Sequence, residues 1–365
     1  MNKLFVCESP FQIIVALYLK EQCSSAADKV DILVTETFSK SLDVANRISQ
    51  TNIFNNVYTY DSRYTKNNRL LKYVIKFFDI MFPRRLIKKI FKDVNYECDE
   101  IYYWSSDYLT LSIRSAYFLR SKPIKSYVFE EGYISYFPYD DIKLNGFDVK
   151  LIEFRNRIKK ISNVSRSNID GLFLFEPDLL IYTPDCPVYT IKRNKKIEEL
   201  VRQNVARIFE TAKKADKYNK KYIIFEENRP DIDDLSLYNE FIDTVGAENV
   251  IIKLHPVRNE NRFSNYNVSV IESDGMPWEA IAYSKDFSDN ILISIGSGSV
   301  TSHRLLFGEN TKAFLLFKLV DSKNIKQFDP KYHEFWDKFE SKLTDEKGIF
   351  IPKTREEFYD KIRRI

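Results

Sequence analysis

The chain alternates short apolar segments with segments of helical spacing, and this alternation occurs twice along its 365 residues. Short apolar runs bounded by polar residues predict buried strands. Strands that alternate with helices form parallel sheets, since a parallel connection needs a crossover. A chain of this length fits two such domains better than one core. The sequence therefore predicts an α/β protein of two Rossmann-like, doubly wound domains facing a central cleft.

The first predicted domain spans residues 1–175 and the second spans 196–345, with a proline-containing linker at 176–195. Residues 346–365 are expected to form a terminal strand and helix that could pack back on the first domain. Thr354 begins a capping-box sequence at that helix. The predicted strands are Leu4–Cys7, Asp31–Val34, Val57–Tyr60, Glu100–Trp104 and Ser126–Phe129, then Tyr222–Phe225, Val250–Lys253, Val268–Ile271, Ile291–Ile295 and Ala313–Phe317.

Composition excludes several classes of protein. The net charge of +4 is too small to indicate nucleic acid as the main partner. The chain has no apolar run of the ~18 residues that a membrane-spanning helix needs. Glu8 interrupts the short apolar start, which argues against a signal peptide. The four cysteines form no CxxC pair, so reduced thiols in a cytoplasmic protein are expected.

The strand Val250–Lys253 is followed by His255 and Pro256. Proline ends a strand because it has no N–H group to donate. The histidine is therefore expected at the carboxyl end of a parallel strand, where open α/β sheets bind ligands. It could act as a proton donor near neutral pH, or it could only bond the backbone.

A second strand, Ser126–Phe129, ends in Glu130, Glu131 and Gly132. Side chains of adjacent strand residues point in opposite directions, so one glutamate can face a ligand while the other turns aside. Glycine allows a sharp turn after them. A partly desolvated carboxylate here could serve as a general base. Alternatively, both acids are solvated residues before a turn.

The strand Ile291–Ile295 leads into a small loop, Gly296 to Ser299, and then into a helix. Backbone N–H groups at a helix start bind anions, and small residues let a phosphate approach. The loop lacks the Gly-Lys-Ser/Thr of a Walker loop. It therefore indicates a phosphate site, with a plain serine-capped helix as the alternative.

Glu279, after Pro277, could bind a ribose or only favour the helix dipole.

The order of these motifs resembles that of the bacterial sialyltransferases of glycosyltransferase family 52. That family carries an acidic pair with glycine, a His-Pro pair and a serine/threonine pair, in this order. The matching residues here are Glu130-Glu131-Gly132, His255-Pro256 and Ser297-Gly298-Ser299. The start of the chain, with Ser9 and Gln12, is similar to the family's N-terminus, and Pro277-Trp278-Glu279 resembles its Pro-x-Glu.

The resemblance implies the GT-B fold and an inverting sialyltransferase that needs no metal. Its donor would be CMP-sialic acid, and its acceptor a galactose-terminated glycan of a surface polysaccharide or lipooligosaccharide. Glu131 would deprotonate the acceptor, and His255 would assist the leaving phosphate. The donor would be bound by Pro256, Glu279, Ser297, Gly298 and Ser299, and the acceptor side would include Ser9, Gln12 and Glu130.

Two alternatives remain open. The same family includes enzymes resembling glucosyltransferases, so the donor could be another nucleotide sugar. A non-catalytic nucleotide-sugar-binding assembly protein would keep the phosphate loop without needing both Glu131 and His255.

Residues 63–95 combine many basic residues with apolar ones. Asp61 to Asp93 contain ten Lys/Arg and three Asp, and Pro83 is expected to divide the segment into two helices. Basic amphipathic helices bind anionic membrane surfaces, which would place the protein peripherally at the inner face of the cell membrane. The segment could instead contact a partner subunit, for example in a homodimer, or cover the core.

Overall fold

The computed structural model describes residues 1–61, 69–105, 107–138, 146–162, 164–165, 168–227, 232, 234–255, 261–272, 276–308, 311–320, 330–342 and 348–365. The strands are β1 Asn2–Cys7, β2 Lys29–Thr35, β3 Asn56–Tyr60, β4 Glu100–Tyr103, β5 Lys125–Phe129, β6 Gly171–Leu174, β7 Val188–Thr190, β8 Tyr222–Phe225, β9 Val250–Lys253, β10 Ser269–Ile271, β11 Ile291–Ser294, β12 Lys312–Leu315 and β13 Ile349–Phe350. The helices are α1 Pro10–Cys23, α2 Ser41–Thr51, α3 Arg69–Met81, α4 Pro83–Phe91, α5 Tyr108–Phe118, α6 Gly146–Ile158, α7 Lys195–Phe209, α8 Ala212–Ala215, α9 Leu235–Val245, α10 Trp278–Ala282, α11 Gly298–Phe307, α12 Pro330–Lys342 and α13 Arg355–Arg364.

These elements form two compact units. Unit 1 contains residues 1–177 and 182–209, and unit 2 contains residues 178–181 and 210–365. Each unit has its own parallel sheet, so the predicted α/β class with two doubly wound domains is confirmed.

The sheet of unit 1 has the strand order β3-β2-β1-β4-β5-β6-β7, with every neighbouring pair parallel. The order reverses between β1 and β4, because successive strands are first added on one side of β1 and then on the other. This is the position at which such sheets bind ligands, beyond the carboxyl ends of the strands. The last five residues of β1 are buried, as expected for a central strand covered on both faces.

The turn after β1 positions the first candidate residue. Ser9 caps α1 by accepting a hydrogen bond from the N–H of Gln12 at 3.2 Å, and Pro10 is the first helical residue. Residues 11–19 of the helix are all buried. The serine hydroxyl is thereby fixed at the carboxyl edge of the sheet.

The sheet of unit 2 has the strand order β10-β9-β8-β11-β12-β13 and is also entirely parallel. Its order reverses between β8 and β11. Tyr238 of α9 closes the space where these two strands end, since its buried hydroxyl donates to the Phe225 carbonyl at 3.3 Å and accepts from the Ile295 N–H at 3.1 Å.

The observed unit boundaries differ from the predicted ones. The predicted linker contains β7, which pairs with β6 in unit 1. Two helices, α7 and α8, follow the predicted linker, and the longer one, α7, belongs to unit 1, where it packs on α1 and α2. Its apolar stripe of Val201, Val205 and Ile208 is buried there. The apolar stripe predicts that the helix covers a sheet, but it does not identify which one.

The C-terminal segment also differs from the expectation that it could pack on the first domain. β13 extends the sheet of unit 2 beside β12. Phe358 of α13 lies 5.5 Å from the Phe241 ring and 5.1 Å from the Phe314 ring, both in unit 2. Thr354 caps α13 as predicted, accepting from the N–H of Glu357.

Across the described residues, no helix has the length and apolar character needed to cross a bilayer. All four cysteines have free thiols.

Candidate functional site

The two glutamates after β5 have different environments. Glu130 has 0% exposure, and its Oε2 accepts hydrogen bonds from the Tyr136 hydroxyl at 2.7 Å and the Phe175 N–H at 2.8 Å. Burial raises the pKa of Glu130 to about 8. Glu131 is half-buried. The opposite orientation predicted for the pair is therefore observed.

Glu131 is held both at its side chain and at its backbone. Its Oε1 and Oε2 lie 2.8 and 3.1 Å from the Ser9 hydroxyl, which donates to them. Its backbone N–H donates to the Ser135 hydroxyl at 2.7 Å, and Gly132 has a φ of +69° that lets the chain turn directly after it. Because β4 lies between β1 and β5, the bond from Ser9 to Glu131 crosses the carboxyl end of β4.

Two residues expected on the acceptor side are buried instead. Glu130 is enclosed by Tyr136 and Phe175, and Gln12 is 2% exposed and accepts the Glu8 N–H at 2.6 Å. Neither side chain presents a surface to a ligand, so both position the turns around Ser9 and Glu131. The sequence did not indicate this, because burial depends on the packing of the whole unit and one partner of Glu130, Phe175, lies 45 residues away.

Asp107 follows β4 at the same edge and was not identified from the sequence. It caps α5 by accepting the Thr110 N–H at 2.9 Å, and desolvation raises its pKa. Desolvation thus favours the protonated form of this cap.

His255 lies two residues after β9, as the sequence predicted, and is half-buried. Its N–H donates to Glu226 Oε2 at 3.1 Å, which fixes the backbone of the histidine. Pro256, predicted to help bind the donor, is outside the described residues.

The serine loop after β11 is folded around its own hydrogen bonds. Ser297 caps α11 by accepting the Ser299 N–H at 3.2 Å. The Ser294 hydroxyl accepts the Ser297 N–H at 2.8 Å and the Gly296 N–H at 3.2 Å. The predicted strand, loop and capped helix are all present, with Gly298 as the first helical residue. Three N–H groups of the predicted phosphate loop are thus already engaged.

Glu279, in the first turn of α10, is close to this loop. Its Oε1 accepts a hydrogen bond from the Ser302 hydroxyl at 3.1 Å, and the same hydroxyl donates to the Ser299 carbonyl at 3.0 Å. The structure therefore brings together two motifs that were predicted to bind the donor. They are separated by 23 residues in the sequence.

A second pair of glutamates, after β8, connects these motifs. Glu226 accepts the His255 N–H, while Glu227 Oε1 accepts the Gly296 N–H at 3.0 Å and the Ser294 hydroxyl at 2.7 Å. The sequence analysis missed this pair. The sequence does contain a pattern that could have indicated this pair, because Phe-Glu-Glu follows an apolar strand at 129–131 and again at 225–227.

Glu226 is part of a buried ion network. Its Oε1 accepts from Arg262 Nε at 2.8 Å, and Arg262 also forms a two-bond pair with Asp234 at 2.7 and 3.0 Å. Neither acid has exposed side-chain surface, and desolvation of Arg262 is outweighed by the hydrogen bonds that it donates to both acids, so its pKa is raised.

A cavity of about 580 Å³ lies elsewhere in unit 2, lined by residues of β13, α13 and their surroundings. None of the predicted site residues lines it. Over the described ranges, His, Cys, Asp and Glu side chains form no group of three or more arranged to hold a metal ion.

Comparison with known proteins bears on the fold. No protein-family model matches the sequence, and no curated protein matches it. The chain is similar in structure to the glycotransferase of kitacinnamycin, with a TM-score of 0.52 at 10% identity over 99% of this chain and 88% of that one. It is also similar to the UDP-GlcNAc 2-epimerase of Methanocaldococcus jannaschii, with a TM-score of 0.53 at 12% identity over 100% of this chain and 92% of that one. These likenesses confirm the predicted GT-B fold class.

Proposed function

We propose that the protein is a glycosyltransferase that uses a nucleotide sugar as its donor. In this proposal, Glu131 is the general base that deprotonates the acceptor hydroxyl. His255 donates a hydrogen bond or proton to the leaving phosphate. The serine loop and Glu279 bind the nucleotide.

The observation that carries this proposal is the position of Glu131. It is a half-buried carboxylate at the carboxyl edge of a parallel sheet, oriented by the Ser9 hydroxyl. A general base needs a fixed geometry and access to its substrate, and the bond from Ser9 together with the partial exposure of Glu131 supports this role. Glu130 beside it is fully buried, as a side chain with a structural role would be. The two glutamates are therefore assigned different roles.

The donor class has two candidates. One fold neighbour is a UDP-GlcNAc 2-epimerase, and this favours a uridine diphosphate sugar as the donor. The names of both neighbours describe sugar chemistry, which agrees with a sugar donor in general. CMP-sialic acid is favoured by the resemblance of the motifs to family 52. The first candidate agrees better with the structural neighbours and is our main proposal for the donor.

The experiment is a donor and acceptor panel. UDP-glucose, UDP-GlcNAc and CMP-sialic acid are each incubated with lactose, glucose or galactose, with and without EDTA. Nucleotide release and the mass of the product are measured. We expect one UDP-sugar to be consumed with formation of a glycoside, at a rate unchanged by EDTA.

Each other outcome has a distinct meaning. Consumption of CMP-sialic acid alone would favour the sialyltransferase. Loss of activity in EDTA, restored by Mg²⁺ or Mn²⁺, would contradict a mechanism without metal. Nucleotide binding in a thermal-shift assay without turnover of any donor would favour the non-catalytic assembly protein.

A further inference from the structure

Two helices of unit 1, together with the residue between α3 and α4, present large apolar side chains to the solvent. The eight residues concerned are between 39 and 57% exposed, and we call them the aromatic face. They are Tyr73, Val74, Phe77 and Phe78 of α3, Phe82 before α4, and Phe147, Phe154 and Ile158 of α6. On α6, the spacing of 147, 154 and 158 places them on one side of the helix.

Five of the side chains of this face lie next to another member of it. The Tyr73 ring lies 6.3 Å from the Phe147 ring, which connects α3 with α6. Phe78 lies 5.8 Å from Phe77 and is stacked on Phe82 at 5.8 Å. The exposed residues thus form a patch and are not scattered singly. Patches of this kind mark interaction surfaces.

The opposite sides of the same helices hold them to the core. On α6, Arg155 is fully buried and donates to the Ile80 carbonyl at 3.1 Å and to the hydroxyls of Ser112 and Ser115 at 3.1 and 2.7 Å. Lys76 pairs with Asp148 at 2.5 Å between α3 and α6. Buried residues of these helices therefore pack on the core. The side chains of the aromatic face are not needed to cover it.

The aromatic face carries an excess of positive charge. Residues 73–92 contain six Lys/Arg and one Asp, and residues 147–160 contain five Lys/Arg and two Asp/Glu. The ammonium group of Lys159 lies 5.5 Å from the centre of the Phe82 ring, and the guanidinium group of Arg85 lies 5.6 Å from the centre of the Phe78 ring. Arg84, Arg85 and Lys88 of α4 are exposed. Cations surrounding exposed aromatic rings match the boundary between lipid headgroups and acyl chains.

We propose that the aromatic face docks on an anionic lipid membrane. Its rings would enter the acyl boundary, and its Lys and Arg side chains would contact the lipid phosphates. A second copy of this chain is the less favourable occupant, because a symmetric contact would bring the same cations against each other. Lipid phosphates supply the opposite charge.

The test is co-sedimentation with vesicles of phosphatidylcholine containing 30% phosphatidylglycerol, and with vesicles of phosphatidylcholine alone. The first variant is Arg84→Gln/Arg85→Gln/Lys88→Gln. Lys89 is left unchanged, since it pairs with the buried Asp79 at 2.9 Å and its loss would destabilise the fold. The matched control is Lys192→Gln/Lys195→Gln/Lys196→Gln, which removes the same charge from exposed positions before and at the start of α7.

We expect the wild type and the control to sediment with the anionic vesicles in low salt. The α4 variant should lose on the order of 100-fold in vesicle partitioning, because each basic residue near the surface contributes ~1 kcal/mol. A second variant, Phe77→Ser/Phe154→Ser, should also lose binding while retaining its circular dichroism spectrum.

Two results would overturn the proposal. One is a wild type that does not sediment with anionic vesicles, or that binds both vesicle types equally. The other is a wild type that is a dimer, a Phe77→Ser/Phe154→Ser variant that is a folded monomer, and no lipid binding by either protein. That result would assign the aromatic face to a subunit contact.

Discussion

The Ser9 hydroxyl lies 2.8 Å from the Glu131 carboxylate, although 122 residues separate them in the sequence. The same hydroxyl caps α1, so the orientation of the carboxylate depends on the start of a buried helix. Because the hydroxyl lies within hydrogen-bonding distance of both carboxylate oxygens, it holds the carboxylate in one orientation. This is the state that a general base must have before the acceptor binds.

Glu131→Gln should lower the rate of glycosyl transfer by ~10²–10⁴-fold, the usual loss for a general base. The amide keeps the shape of the side chain and can still accept from Ser9, so the fold and nucleotide binding should be unchanged. Steady-state transfer and nucleotide titration measure the two effects. Glu176→Gln, after β6 in the same unit, is the matched control and should retain activity. Normal turnover in Glu131→Gln would exclude it as the base.

His255→Ala should lower both the transfer rate and the affinity for the nucleotide, because the imidazole is proposed to contact the leaving phosphate before and during the reaction. The measurements are rate profiles between pH 5 and 8 and nucleotide titrations. A variant with the same profile and affinity as the wild type would exclude contact of the imidazole with the leaving phosphate.

Glu227→Gln should strengthen nucleotide binding several-fold. Glu227 accepts from the Gly296 N–H in the loop proposed to bind phosphate, so its negative charge repels the incoming anion. Glutamine can keep both hydrogen bonds through its amide oxygen while removing the charge. Isothermal titration with UDP and CMP tests this. Equal or weaker binding would indicate that the phosphate does not approach this loop.

Arg262→Met should destabilise unit 2 by about 3–5 kcal/mol, since it leaves Glu226 and Asp234 buried without their cation. Urea unfolding followed by fluorescence measures the loss. Arg355→Gln removes the cation of the exposed Arg355–Glu240 pair and is the control, expected to cost under ~1 kcal/mol. If both variants lose the same stability, the buried network contributes no more to stability than the exposed pair does.

Glu130→Gln should make unit 1 less sensitive to alkaline pH. Burial raises the pKa of Glu130 from 4.5 to about 8, so the fold favours its protonated form. Stability from this group is fully present below pH 4.5 and is lost as the pH rises through about 8. Glutamine stays neutral and can keep the bonds from Tyr136 and Phe175. Melting curves from pH 5 to 9 should show a smaller fall for the variant, with ~1 kcal/mol shifting the midpoint by roughly 2–4 °C. Parallel curves would contradict this.

The fold could be predicted from the sequence because most strands are short apolar runs with turn residues at their ends. The central strands β1, β2, β5, β8, β9 and β11 all lie where the sequence placed them, within a few residues. β6 and β7 were missed, since they have four and three residues and the second lies among prolines. The unit to which α7 belongs depends on packing against α1 and α2, which no local pattern encodes.

The candidate site could be predicted only in part, for a related physical reason. Glu131, His255 and Ser297 follow strands directly, and strand ends can be recognised locally. Glu226 and Arg262 are 36 residues apart and meet only when the sheet of unit 2 forms. The catalytic and binding roles of all these residues remain predictions.

The position of α7 has a consequence for biosynthesis. Unit 1 begins with β1, but α7, which packs on α1 and α2, ends at Phe209. About 150 residues must be synthesised between the end of β3 and the end of α7, which takes roughly 8–30 s at typical translation rates. During that interval the surfaces of α1 and α2 that α7 covers have no native partner. The nascent chain should therefore be most dependent on chaperones before residue 209 leaves the ribosome.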